Sequence, residues 1–170
     1  MCLGVLATQV WLDTYATTGI RPAIAEEVLS AFSTASMRAA LESARTQFRV
    51  AELDGHFIGF AQLTFGARHE LVSAGSPAEL ERLYVQEPFA RLGVGSALLA
   101  AAEDAAASAG ATDLWLASWA KNGRALRFYA GRGYADIGVT CFRMGTERHE
   151  NRVLSKSLNR LERTRISPAV

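Results

Sequence analysis

The sequence contains few of the residues that form disulfide frameworks or metal sites. Its 170 residues include two cysteines, Cys2 and Cys141, and three histidines. Two cysteines cannot build a disulfide framework, and neither they nor the histidines show the spacing of metal ligands. We therefore predict no metal. Cys141 stands in an apolar run, so we expect it to be a small buried side chain.

Excess charge and long apolar runs are also missing. The formal net charge is +1, so a nucleic acid partner is not predicted. No stretch approaches the roughly 20 apolar residues of a membrane span, and the first residues lack the basic start of a signal peptide. We therefore expect no membrane partner, and a cytoplasmic location by default. The hydrophobic fraction of 49% is typical of a globular protein. We predict one domain over residues 1–159 and a flexible tail over residues 160–170.

The hydrophobic pattern changes from helical to alternating near residue 46. Helices are predicted around residues 10–15, 23–32 and 37–44, because their apolar residues recur at helical spacing. Asp54-Gly55 then separates two strand-like runs, and this dipeptide is a strong signal for a β-hairpin. The first half therefore predicts helices followed by an antiparallel hairpin.

Strands and helices alternate in the second half of the chain. We predict a surface loop at residues 66–78 and helices at 96–109 and 124–130. The predicted strands are residues 80–85, 114–119, 134–140, 142–144 and 153–158. Because a helix that joins two neighbouring strands makes them parallel, the order predicts a mixed α/β sheet.

A turn with two glycines lies between a predicted strand and a predicted helix. Arg91-Leu92-Gly93-Val94-Gly95 leads into Ser96. A helix N-terminus offers free N–H groups to an anion, and glycine lets the backbone approach a pyrophosphate closely. The spacing lacks the third small residue of a dinucleotide fingerprint and the Gly-Lys-Ser/Thr of a P-loop. The alternative is that these glycines simply begin a helix.

The strand before this turn breaks strict alternation. Leu80 has the opposite parity from Leu83 and Val85, so we predict a β-bulge between Glu81 and Leu83. A bulge leaves backbone groups unpaired, and these can bind an extended ligand that carries amides.

Two motifs in the second half of the chain occur in a characteristic order. The first is the strand Leu83-Tyr84-Val85 followed by the glycine turn. The second is a strand, Asn122 and a helix ending in Phe128-Tyr129, then Gly133-Tyr134. With these two motifs the sequence resembles the GNAT acetyltransferases. The closest similarity is to PaiA-type polyamine acetyltransferases, in Trp119-Ala120-Lys121-Asn122 among other segments. The resemblance implies a mostly antiparallel mixed sheet with a central splayed parallel pair and helices on both faces. The family begins with a strand, which is either missing here or represented by residues 3–6.

The resemblance also implies acetyl-CoA as cosubstrate. The family has Gln or Arg where this chain has Ala90, so Arg91 or backbone amides would have to replace it. The side chain of Asn122 would contact the cofactor, or it would only cap the helix that follows. The implied binding residues are Leu83, Tyr84, Val85, Ala90, Arg91, Leu92, Gly93, Val94, Gly95, Ser96, Asn122, Ala125, Phe128, Tyr129 and Arg132.

Acetyl transfer to an amine requires an acid and a base. The leaving thiol has a pKa of about 8.5, so a tyrosine can re-protonate it. Tyr129 is the candidate acid, with core packing as the alternative. Glu81 is the candidate base, acting through water, and the alternative is an exposed carboxylate on the strand surface.

The predicted partner is a small-molecule amine, and the resemblance favours a polyamine. A polyamine would require carboxylates such as Glu70, Glu79, Glu81 and Glu87 to converge on the site. Other amines, including amino acids, aminoglycosides and protein N-termini, remain open, as does a non-catalytic sensor of acyl-CoA. The resemblance also suggests a homodimer. Trp11 and Trp115 are expected in the core, while Trp119 lies near a strand end where a cleft could open.

Overall fold

The computed structural model describes residues 1–72 and 75–158. The predicted tail over residues 160–170 and the end of the predicted domain at residue 159 lie outside the described residues. The elements, in chain order, are α1 Cys2–Tyr15, α2 Pro22–Ala31, α3 Thr34–Glu42, β1 Thr46–Leu53, β2 His56–Phe65, β3 Ala78–Val85, a 3₁₀ turn Glu87–Phe89, α4 Val94–Ser108, β4 Asp113–Trp119, α5 Gly123–Ala130, β5 Ala135–Met144 and β6 Glu147–Ser157.

The strands form one six-stranded sheet in the order β1-β2-β3-β4-β6-β5. All neighbouring pairs are antiparallel except β3 and β4, which are parallel. Asp54 and Gly55 make the β1–β2 turn with φ values of 50° and 78°, as the Asp-Gly signal predicts. The predicted mixed sheet with a central parallel pair is confirmed.

The parallel pair separates soon after it forms. β3 and β4 are in register only at Ala78 with Leu114 and at Glu79 with Trp115. Beyond these positions the two strands diverge and leave a gap in the middle of the sheet. The predicted β-bulge is present in β3: Gln62 pairs with Arg82 and Leu63 with Leu80, so Glu81 is the extra residue.

Each face of the sheet is covered by its own set of helices. α4 and α5 pack on one face, where Leu98, Leu99 and Ala102 contact Leu63 and Leu116 in one apolar cluster. α1, α2 and α3 pack on the other face in a second cluster, which includes Leu6, Trp11 and Phe60. A ligand in the gap between β3 and β4 can therefore contact helices of both layers.

Three expectations from the sequence differ from the structure. Residues 134–140 and 142–144 belong to one continuous strand, β5, which turns at Gly145 into β6. Residues 3–6 are helical within α1, so they are not a remnant of a first strand. Cys141 is exposed on β5, the edge strand of the sheet, rather than buried.

Candidate active site

A cleft of about 900 Å³ occupies the gap between β3 and β4. One end lies against α4 and α5, and the other lies against α1 on the opposite face of the sheet. The cleft therefore passes through the sheet where the parallel strands diverge. It is lined by Val10, Asp13, Thr14, Tyr15, Thr17, Leu83, Tyr84, Val85, Glu87, Ala90, Arg91, Gly93, Gly95, Ser96, Trp119, Lys121, Asn122, Gly123, Arg124, Ala125, Phe128, Tyr129 and Arg132.

The α4 end of the cleft has the properties of an anion site. Gly93 is the N-cap of α4 with φ of 87°, and no side chain caps the first turn. The N-terminal N–H groups and the positive end of the helix dipole therefore remain available to a ligand. Arg91 also has a positive φ, 64°, and lines the cleft beside Gly93. The free N–H groups of the first turn could hold a pyrophosphate, and the side chain of Ala90 adds no charge at this end.

Two arginines at this end are engaged by protein groups. Arg124 Nη1 donates to Glu87 Oε2 at 2.7 Å across the mouth of the cleft. Arg132 donates to the carbonyl of Phe128 and to the hydroxyl of Ser96, so it joins α5 to the first turn of α4.

Asn122 caps a helix and also lines the cleft. Its Oδ1 accepts a hydrogen bond from the N–H of Ala125 at 3.1 Å, which makes it the N-cap of α5. The same residue lines the cleft. A helix cap and a ligand contact are therefore compatible here.

Tyr129 lies in the cleft wall and is 7% exposed. Its ring packs edge-on against Phe128 and Tyr134, with centroids 5.2 and 5.6 Å away. Burial raises the pKa of its hydroxyl above the ordinary value, and the neighbouring Tyr84 and Tyr15 raise it further. Tyr129 therefore keeps its proton at neutral pH.

Glu81 is not among the residues that line the cleft. The bulge directs its carboxylate to Gln62 and Thr64, whose side chains donate to it at 2.5 Å each. Arg82 lies 3.2 Å from the same carboxylate. The pKa of the adjacent Glu79 is raised to about 7, because burial and the charge of Glu81 outweigh the attraction of Arg82.

The structure brings most of the predicted cofactor residues together. Leu92 and Val94 are the exceptions, since Leu92 is 72% exposed and Val94 packs against the α4 core. The predicted site did not include α1, although Val10, Asp13 and Thr14 recur at i, i+3 and i+4 and line the cleft together with Thr17, which follows the helix. That spacing marks one helix face, and polar residues on it could have pointed to a cleft.

The described residues contain no group of three or more His, Cys, Asp or Glu side chains that could hold a metal ion. Within the same residues, no helix is long and apolar enough to cross a membrane. The predictions on metals, membranes, nucleic acids and a homodimer stay predictions.

In the described residues, the parallel strands β3 and β4 open beside the N-terminus of α4, which no side chain caps. The sequence profile of the acetyltransferase (GNAT) family matches residues 14–134, and the chain belongs to this family. An uncharacterised N-acetyltransferase of Mycobacterium tuberculosis is 33% identical over 135 residues, which is 76% of this chain and 81% of that protein. The family is that of acetyl-CoA-dependent acetyltransferases, as the sequence predicts.

Solved structures share the fold. The PaiA N-acetyltransferase of Thermoplasma acidophilum, in complex with coenzyme A, superposes with a TM-score of 0.73 at 22% identity, over 92% of this chain and 91% of that one. Aminoglycoside 6'-acetyltransferase type Ii superposes with a TM-score of 0.61 at 19% identity, over 92% of this chain and 88% of that one. These two neighbours are named for different activities, so their likeness concerns the fold alone.

Proposed function

We propose that the protein transfers the acetyl group of acetyl-CoA to a primary amine of a small molecule, in a ternary complex. The observation that carries the proposal is the position of Tyr129. This residue lines the same cleft as the anion site at α4 and the open end at α1. Acetyl-CoA supplies the acetyl group as a thioester. Its pyrophosphate would bind the first turn of α4, and its pantetheine arm would follow the backbone of Leu83 and Val85.

The substrate ammonium first loses one proton to solvent or a base, because only the neutral amine is a nucleophile. The amine nitrogen then forms a bond to the carbonyl carbon, and the bond between carbon and sulfur breaks. The nitrogen loses a second proton in this step, Tyr129 donates a proton to the leaving sulfur, and the proton from the nitrogen restores Tyr129 directly or through solvent. Burial raises the pKa of Tyr129, but it also raises the proton affinity of a thiolate in the same site.

Glu81 enters this proposal only as a base acting through water. Its carboxylate already accepts two hydrogen bonds from Gln62 and Thr64, and it lies off the cleft wall. A role in catalysis requires a chain of water molecules from the amine to the bulge. Glu81→Gln should then lower kcat/KM most below the pKa of the amine, with Glu52→Gln on β1 as the matched surface control.

The preference for a polyamine rests on resemblance. The acidic residues that line the cleft are Asp13 and Glu87, and Glu87 is paired with Arg124. Glu70, Glu79 and Glu81 are not among the lining residues. A polyamine is therefore one member of the acceptor panel, beside amino acids and aminoglycosides.

The decisive experiment measures thiol release from acetyl-CoA with a panel of amines, for the wild type and Tyr129→Phe. We expect kcat to fall about 10²-fold or more in the variant, while the Kd for acetyl-CoA stays within about twofold. Equal kcat in both proteins would remove Tyr129 from the proposal. If acetyl-CoA binds but no amine is acetylated, a non-catalytic sensor becomes the better explanation. Failure to bind acetyl-CoA would contradict the whole proposal.

A further inference from the structure

Two aromatic side chains line the α1 end of the cleft, beside the polar side chains of Asp13, Thr14 and Thr17. Tyr15 of α1 and Trp119 of β4 both line it, with ring centroids 5.4 Å apart and planes tilted by 49°. Trp11 packs behind Tyr15 at 4.7 Å. The rings of Tyr15 and Trp119 are only partly buried. Aromatic pairs attract at centroid distances of about 4.5–7 Å, also in edge-to-face geometry, so a further flat ring in the cleft can pack against the exposed parts of these two rings.

Charge at this end disfavours a second ammonium group near the rings. Lys121 Nζ lies 5.9 Å from the centroid of the Trp119 ring, and Lys121 also lines the cleft. A cation over an aromatic face already occupies the position that a substrate ammonium would take. A polyamine would bring a further positive charge next to Lys121, whereas an uncharged body would not.

The hydroxyl of Tyr15 does not add a negative charge. Burial raises its pKa above the ordinary value, so it stays neutral through the physiological range. Asp13 lies on the same face of α1, but it is exposed at the rim of the cleft. Among the described residues that line this end, Tyr15 and Trp119 supply the two rings, and Lys121 supplies a positive charge next to Trp119.

We propose that this end of the cleft binds the aromatic body of a monoamine acceptor against Tyr15 and Trp119, with its single amino group directed toward Tyr129. The inference rests on the proposed function for the fate of the amine. Binding of the acceptor does not depend on the proposed function, because the contacts with the two rings form before any chemical step. Lys121 acts as a selectivity element that rejects acceptors with a second charge.

The test is calorimetric titration of amines into protein saturated with CoA, which lacks the acetyl group and cannot react. The probes are phenethylamine, n-butylamine and spermidine. We expect phenethylamine to bind at least about tenfold more tightly than n-butylamine or spermidine. Trp119→Leu should abolish this preference and Trp119→Phe should retain most of it. Lys121→Gln should improve spermidine binding and leave phenethylamine nearly unchanged.

The outcomes separate the two proposals. Tighter binding of spermidine than phenethylamine, or an unchanged preference in Trp119→Leu, would overturn the aromatic assignment. The Kd of each variant for CoA shows whether it is still folded, since Trp119 lies at the end of the cleft away from α4. If phenethylamine binds through Trp119 but is never acetylated, this inference stands and the proposed function fails. If amines are acetylated without any dependence on Trp119, the reverse holds.

Discussion

The guanidinium carbon of Arg132 lies 3.7 Å from the centroid of the Phe128 ring, one turn earlier on the chain. From this stacked position Arg132 donates to the hydroxyl of Ser96, in the first turn of α4. Arg132 therefore connects the helix that carries Tyr129 to the helix that forms the anion site.

Substitutions of Arg132 distinguish its role in positioning the two helices from the effect of its positive charge alone. Lysine keeps the charge but cannot form the planar, forked contacts of arginine. We expect Arg132→Lys to weaken acetyl-CoA binding nearly as much as Arg132→Gln, and both to lose about 1–3 kcal/mol of stability. Calorimetry and urea unfolding measure the two effects. Normal affinity in Arg132→Lys would show that only the charge matters.

Gly95→Ala distinguishes a ligand-binding glycine from one that merely begins a helix. A Cβ at Gly95 would lie 3.7 Å from the Phe128 ring and 3.8 Å from Val85, which are ordinary contacts. Stability should be unchanged or rise by up to about 1 kcal/mol, because alanine favours helix. The Kd for acetyl-CoA should nevertheless rise at least about tenfold, since the methyl group occupies the path to the pyrophosphate. Unchanged affinity would favour a purely structural role.

Gly93→Ala is the matched comparison. Gly93 has φ of 87° and open space around it, so alanine there meets no clash but adopts a left-handed backbone. We expect a loss of about 1 kcal/mol in the free energy of unfolding. Gly93→Ala should therefore lower the free energy of unfolding in an experiment in which Gly95→Ala does not.

Asn122 can be tested for its two roles separately. Asn122→Ala removes the N-cap of α5 and should cost about 1 kcal/mol, whereas Asn122→Ser can still cap the helix. We expect Asn122→Ser to keep the wild-type Tm and still bind acetyl-CoA more weakly, because serine lacks the carboxamide. A serine variant with normal affinity would reduce Asn122 to a helix cap.

The raised pKa of Glu79 predicts that the stability of the protein depends on pH. Its pKa is raised from 4.5 to about 7, so the folded state holds a proton that the unfolded state releases. Stability should therefore fall as the pH rises from about 4.5 to about 7, and change no further above that for this group.

Glu79→Gln should reduce the fall in stability that accompanies this rise in pH. Urea unfolding at pH 5 and pH 8 should show a difference about 1–2 kcal/mol smaller than in the wild type. Glu52→Gln, an exposed change on β1, should leave the difference unchanged. If Glu79→Gln behaves like that control, Glu79 titrates normally in the folded state.

Local chemistry allowed much of the fold to be predicted. Asp54-Gly55 fixes the hairpin because both residues adopt positive φ, and Gly93 begins α4 for the same reason. The break in alternation at Leu80 predicted the bulge in β3, because side-chain parity must be restored within a strand. These signals depend only on residues close together along the chain.

The composition of the cleft depended on contacts between distant segments. Tyr15 and Trp119 meet across 104 positions of sequence only because β3 and β4 diverge beneath α1. The direction of Glu81 was likewise decided by the side chains of Gln62 and Thr64 on the neighbouring strand. The sequence by itself determined the β1–β2 hairpin, the glycine turn and the helix that bears Tyr129. Tertiary structure decided which α1 residues line the cleft and turned the Glu81 carboxylate away from it, because both outcomes depend on packing across the sheet.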